Sequence, residues 1–197
     1  SGNSSFVSIY IDGRDCCQTG QFSQDVADVA LTDVIHIAHL LAHVIEGLEQ
    51  GFCDFLGSVF MQLELGDKYR SQFFTPRSVA SMMAQMQLGN VKVLFESKPF
   101  ITLSEPACGA GSMILAMADI LNRSGYPAYH RMWVSATDID PLAAGMAYIQ
   151  LSLCGVAGEV VIGNSLCNER RRVLLTPGHY LGNWDHRLRH LQEQNVA

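Results

Sequence analysis

Two glycines separated by one small residue, Gly109 and Gly111, lie in the run Leu103-Ser104-Glu105-Pro106-Ala107-Cys108-Gly109-Ala110-Gly111-Ser112. The apolar stretch Ile101-Thr102-Leu103 leads in, and a helical pattern from Met113 to Asn122 leads out. Strand, glycine turn, helix is the local order this predicts. Glycine lets a backbone approach a ligand closely, and the unpaired amides that open the next helix form a partly positive pocket. A nucleotide-like or carboxylate-bearing ligand suits that pocket; the alternative is a turn that needs glycine only for packing.

The context on either side is ordered. Gln72-Phe73-Phe74-Thr75-Pro76 lies upstream. Downstream, the apolar run Met132 to Ala136 ends in Thr137-Asp138-Ile139-Asp140-Pro141, and after another helical segment Glu159-Val160-Val161-Ile162 runs into Gly163-Asn164-Ser165-Leu166. Taken in order, these four motifs resemble the S-adenosylmethionine-dependent adenine DNA methyltransferases, and most closely the modification subunits of type I restriction systems and their short plasmid- or phage-borne relatives. The resemblance covers about residues 53 to 166, and four motifs in sequence are more specific than any one of them.

The resemblance implies S-adenosylmethionine as cofactor and a set of residues to hold it: Phe74, Thr75 and Pro76 over its methionine end, Glu105, Pro106, Ala107, Cys108, Gly109 and Gly111 at the first turn, Asp138 and Ile139 at the second, Asn164 and Ser165 at the third. An acid at the carboxyl end of the second strand of a doubly wound sheet can accept hydrogen bonds from a ribose diol, which is the place of Asp138. Ile139 would offer an apolar face to the adenine ring. Asp140 before Pro141 reads as a helix cap with its first-turn proline, and capping is open to Asp138 as well. Asn164 can both donate and accept, which suits an adenine edge, though a plain turn has the same use for it. Phe73 and Phe74 fit the family's segment or an ordinary core. Glu105 stands where the family usually has aspartate.

One family element is missing. Adenine amino-methyltransferases carry asparagine, aspartate or serine, then two prolines and an aromatic, to grip the flipped target base. This sequence has no Pro-Pro pair; Thr176-Pro177-Gly178-His179-Tyr180 stands in roughly that place, but reads better as a turn opening a terminal helix. The expected fold is therefore α/β, a truncated Rossmann-like S-adenosylmethionine methyltransferase sheet with an N-terminal helical extension. Three strands are clear, and Arg172 to Leu175 is a candidate fourth, where a complete sheet has seven. Residues 1–70 form the extension and residues 71–197 the cofactor-binding domain with a basic tail. An incomplete sheet leaves a strand edge, for which a homodimer or a partner protein is the expected cover. The implied reaction is methyl transfer to the adenine N6 of DNA; a cofactor-binding regulator or accessory subunit without transfer activity is the rival, and a methyltransferase for RNA, protein or small molecules a third reading.

Composition bounds these readings. A chain of 197 residues with 48% hydrophobic content can bury one substantial core. A net charge of −6 argues against a strongly basic DNA clamp. Residues 1 to 66 hold nine acids against the single base Arg14, whereas Arg170, Arg171, Arg172, Arg187 and Arg189 gather in the tail. That tail is the one candidate for DNA phosphate contact, or else a solvated basic helix end. The six cysteines show neither zinc spacing nor a C-x-x-C pair and read as reduced thiols. With no signal peptide and no membrane-length apolar run, a cytoplasmic protein is expected.

The elements that would position the site begin upstream. Asp25 to Gln50 has a long amphipathic helical pattern, with Val29, Val34, Ile37, Leu41, Val44, Ile45 and Leu48 on its apolar side, and a second helix is expected across Phe52 to Leu65. His36, His39 and His43 fall close to one helix face, but no neighbouring carboxylate or cysteine completes a metal site. After Pro76, the spacing of Val79, Met82, Met83 and Met86 predicts a helix with those residues as its buried face.

Overall fold

The computed structural model describes residues 31–49, 51–63 and 75–196. The chain divides into two compact units, Ser1–Ala42 and His43–Ala197. Helix α1 covers Leu31–Glu49. Its expected start at Asp25 to Ala30, with Val29, lies outside the described residues. The predicted apolar side of α1 is not buried as a whole: Val34, Ile37, Leu41 and Ile45 are exposed, and Leu48 alone is buried.

Within His43–Ala197, α2 (Phe55–Gln62) opens on Asp54, whose carboxylate accepts from the Gly57 amide at 2.7 Å, a side-chain N-cap. Helix α3 (Arg77–Leu88) follows Pro76 and stops at Gly89, in the left-handed region at φ 57°. The methionine face expected to be its core side is a correction. Met82, Met83, Met86 and Val79 are exposed, while Ala80, Ala84 and Leu88 are buried. Small residues at i and i+4 let α3 lie close against α5 (Ser112–Arg123), so close approach rather than hydropathy selects the face. A short helix α4 (Val91–Ser97), capped by Asn90, leads to the first strand.

The sheet has four strands in the order β1 (Ile101–Glu105), β2 (Met132–Asp138), β3 (Ala157–Asn164), β4 (Glu169–Leu175). The first three are parallel, Ile101 opposite Met132 and Trp133 opposite Ala157; β4 returns antiparallel, Val161 opposite Val173. Parallel neighbours need crossovers. Here α5 and the short α6 (Ala128–Arg131) join β1 to β2, and α7 (Pro141–Leu153) joins β2 to β3. Ile114, Leu115 and Leu121 of α5, Ala144, Ala147 and Leu151 of α7, and Met132, Val134, Ala136 and Val160 of the sheet form the main core. The other sheet face is covered at one end, where Trp184 of α9 (Trp184–Val196) joins Phe100 and Ala157, with Trp133 against them. β4 starts at Glu169, three residues before the expected Arg172; these added residues are charged and exposed, as suits an outer strand, and so carry no apolar strand signal.

Among the described residues, β1 pairs on one side only, with β2. The sheet is thus an open four-stranded α/β sheet with its parallel carboxyl ends at Glu105, Asp138 and Asn164.

Candidate functional site

The site grows from those three strand ends. After Glu105 the chain turns through Pro106 and Ala107, both exposed, to the buried Cys108, whose amide donates to Thr137 O at 2.8 Å and pins the turn to β2. Gly109 and Gly111 have φ of 54° and 94°, the left-handed region that an L side chain enters only at a cost. Gly111 is the N-cap of α5, so the 12-residue helix starts at the turn with no side-chain cap on its first amides.

Asp138 closes on that turn. Its Oδ2 accepts from the Gly109 amide at 2.8 Å, and its Oδ1 from the Asp140 amide at 2.9 Å. Asp140 is the helix cap, accepting from the Leu142 amide at 2.9 Å with Pro141 in the first turn of α7. The two aspartates therefore have separate uses: Asp140 starts a helix, and Asp138 bridges two strand-end turns. Ile139 between them is 58% exposed and Leu142 is 57% exposed. Together they put apolar surface beside the carboxylate.

Glu105 and Cys108 feel the same enclosure. Burial raises the Glu105 carboxyl above the usual carboxylate range, partly opposed by the Ala107 amide that donates to it. Burial, followed by the charges of Asp138 and Glu105, pushes the Cys108 thiol up to about 12. Cys108 is accordingly a neutral packing thiol at physiological pH. Its lining of the turn is steric.

At the third strand end, the Asn164 side-chain oxygen accepts from the Leu166 amide at 3.0 Å. That is an Asx turn, which occupies one acceptor site of the side-chain oxygen and leaves the NH2 free to orient as donor. Ser165 is exposed, and Leu166 is 96% exposed. Upstream, Phe74 lies outside the described residues. Thr75 and Pro76 are described: the Ser112 hydroxyl at the start of α5 donates to Thr75 O at 3.0 Å, which brings their segment to the glycine turn. Sequence reading missed Ser112, and it took Arg171 only as a candidate phosphate contact in the tail, whereas its guanidinium donates to Ile139 O at 2.9 Å from β4. No local pattern marks either residue, since each reaches across more than thirty positions.

Thr176 to Tyr180 does something else. Thr176 precedes helix α8 (Pro177–Leu181), and its buried hydroxyl donates to Val156 O at 2.8 Å and accepts from the Gly158 amide at 3.0 Å. The Trp133 indole N–H donates to His179 Nδ1 at 3.0 Å; this puts the ring proton on Nε2, which faces Asp185 Oδ1 at 3.2 Å. This segment is a structural clasp. The tail arginines are also engaged: Arg170 pairs with Glu159 at 2.7 Å, and Arg187 stacks 3.7 Å over the Trp184 ring while donating to His130 O.

A cavity of about 140 Å³ between α3, α5 and residues 52–54 is lined by Asp54, Arg77, Ser112 and Asp119. It runs along α5 rather than across the carboxyl ends of the strands, which are the usual ligand position of parallel sheets.

A family model described as N-6 DNA Methylase matches residues 58–186. The chain belongs to the N-6 DNA methylase family. Its cofactor is S-adenosylmethionine. A search of curated proteins finds no match. Among solved structures, a protein assigned as a class I S-adenosylmethionine-dependent methyltransferase of Listeria monocytogenes is similar at 18% identity and a TM-score of 0.42, over 60% of this chain and 36% of that one. The methylase-family chain thus spans about a third of that relative's length, and a likeness at this score adds nothing to the topology. The residues present fit the cofactor by their chemistry: a glycine turn with positive φ at two positions, uncapped helix amides, a carboxylate at the second strand end and an exposed isoleucine beside it. Among the described residues no helix is long and apolar enough to cross a membrane.

Proposed function

We propose that this chain binds S-adenosylmethionine across the carboxyl ends of β1, β2 and β3 and belongs to a system that methylates the adenine N6 of DNA. The observation that carries the reading is the Gly109 amide on Asp138, which joins the glycine turn to the acid best placed for a ribose diol. When bound, the cofactor supplies an electrophilic methyl group. The chain's own residues bind and orient. Uncapped amides of α5 and the glycine turn receive the carboxylate end, Asp138 accepts from ribose hydroxyls with its remaining lone pairs, Ile139 packs on the base and the Asn164 NH2 donates to its edge. Glu105, when ionised, faces the cationic end of the ligand.

Transfer needs, besides this, an acceptor for the protons of the target amine and a ring to stack on the base. Thr176 to Tyr180 does not supply the acceptor, because its hydroxyl and imidazole are turned inward to Val156, Trp133 and Asp185; the exposed Tyr180 is the ring that the segment offers. That inward orientation supports a second reading, a cofactor-binding regulator or accessory subunit that acts with another chain. A homodimer or partner would cover the unpaired side of β1, and the arginine-bearing tail would approach DNA phosphates only by exchanging its present contacts with Glu159 and His130.

Calorimetric titration with S-adenosylmethionine followed by a radiolabelled methyl-transfer assay on mixed DNA separates the readings. Binding with transfer supports the methylase, and binding without transfer supports the regulator. Absence of binding sinks both.

A further inference from the structure

Gln150 is fully buried on α7, and it is a polar side chain that the cofactor reading does not use. Its amide nitrogen donates to Ala110 O at 2.7 Å, inside the Gly109-Ala110-Gly111 turn, and to Asp54 Oδ1 at 3.0 Å; its oxygen accepts from the Leu56 amide at 2.9 Å. Three hydrogen bonds thus join segments 40, 94 and 96 residues from Gln150 in sequence. Asp54 Oδ1 also takes the Gly57 amide and so caps α2, while Phe60 of α2 and Met146 of α7 pack on Ala110. A buried network with its groups satisfied is rigid, and leaving one member unpaired is costly.

We infer that Gln150 is a positioning residue for the cofactor site: it clamps the Ala110 carbonyl, sets the plane of the peptide between the two positive-φ glycines and couples that turn to the start of α2. The inference rests on S-adenosylmethionine binding at the turn, as proposed above. Glutamine suits the position because two acceptors and one donor converge there. A carboxylate would set like charge against Asp54 and lone pairs against Ala110 O, and an apolar isostere would take that partner from the Leu56 amide and the Ala110 carbonyl and leave Asp54 with the Gly57 amide.

The test is calorimetric titration of the folded chain with S-adenosylmethionine, comparing wild type, Gln150→Met and, as a control of general destabilisation remote from the turn, Trp184→Phe. Gln150→Met is expected to bind about tenfold more weakly or worse, the loss of one buried hydrogen bond at the turn, and to shift the Gly109 and Gly111 amide resonances in NMR spectra. Trp184→Phe is expected to lower the melting temperature without changing affinity. Equal affinity of wild type and Gln150→Met, or an equal loss in both variants, overturns the inference while leaving the cofactor site standing. No binding by the wild type overturns the site and the inference together. Should Gln150→Met fail to fold, hydrogen exchange on the wild type decides: the cofactor is expected to slow exchange at the Leu56 and Gly57 amides, and unchanged exchange there overturns the coupling.

Discussion

The turn from Glu105 to Ser112 and the turn from Thr176 to Tyr180 each follow a strand, carry proline and glycine, and open a helix, yet they direct their polar groups in opposite ways. In the first, the backbone is held from behind by Thr137 O, Asp138 and Gln150, and the helix amides have no side-chain cap. In the second, Thr176 and His179 are buried and bonded inward to Val156, Gly158, Trp133 and Asp185. A turn preorganised from behind can receive a ligand; one whose donors and acceptors are satisfied internally holds the fold together. The same local sequence grammar serves binding in one place and stability in the other.

The sharpest way to break this contrast is at Asp138. Asp138→Ala removes the acceptor for the Gly109 and Asp140 amides as well as the proposed ribose contact, so affinity for S-adenosylmethionine should fall by about a hundredfold or more by calorimetry. The mirror experiment is His179→Ala. It leaves Trp133 Nε1 unpaired and opens a cavity, and urea unfolding should show a loss of about 2–4 kcal/mol, with cofactor affinity of the folded protein unchanged. If His179→Ala weakened the cofactor as Asp138→Ala does, the two turns would not be separable.

A smaller effect concerns pH. The folded-state pKa of Glu105 is raised chiefly by burial, so ionising it costs the fold, and its contribution to stability declines as pH rises from 4.5 through the raised value. Cofactor affinity has the opposite sense: as pH falls through the raised value the carboxylate is lost, and binding should weaken by about threefold to tenfold. Glu105→Gln should remove that pH dependence in a titration series. The smallest effect is chemical. Burial and neighbouring charge keep Cys108 protonated, pushed to about 12, so at pH 8 an alkylating reagent should modify the exposed Cys167 and spare Cys108 by mass spectrometry.

Much of the first turn was legible in the sequence, for local reasons. Apolar runs that stop at Glu105, Asp138 and Asn164 show where the parallel strands end, and Asp140-Pro141 shows where α7 begins. Thr176-Pro177 likewise announces a helix start. The buried face of α3 was not legible, because methionine outranks alanine in hydropathy while close helix contact favours the smaller side chain. The first three residues of β4, Glu169-Arg170-Arg171, were hidden by charges that an outer strand tolerates. Gln150, Ser112 and Arg171 act across long sequence separations, and glutamine in a helix carries no mark of being buried. The fold is read from runs, the support of the site from contacts that only folding creates.

The most direct test of the cofactor site is a crystal structure of the chain grown with S-adenosylmethionine. The account predicts ligand density against Gly109 to Gly111 with ribose hydroxyls on Asp138 and the base beside Ile139. Ligand density elsewhere, or a strand-end crevice that stays empty at saturating cofactor, would contradict it.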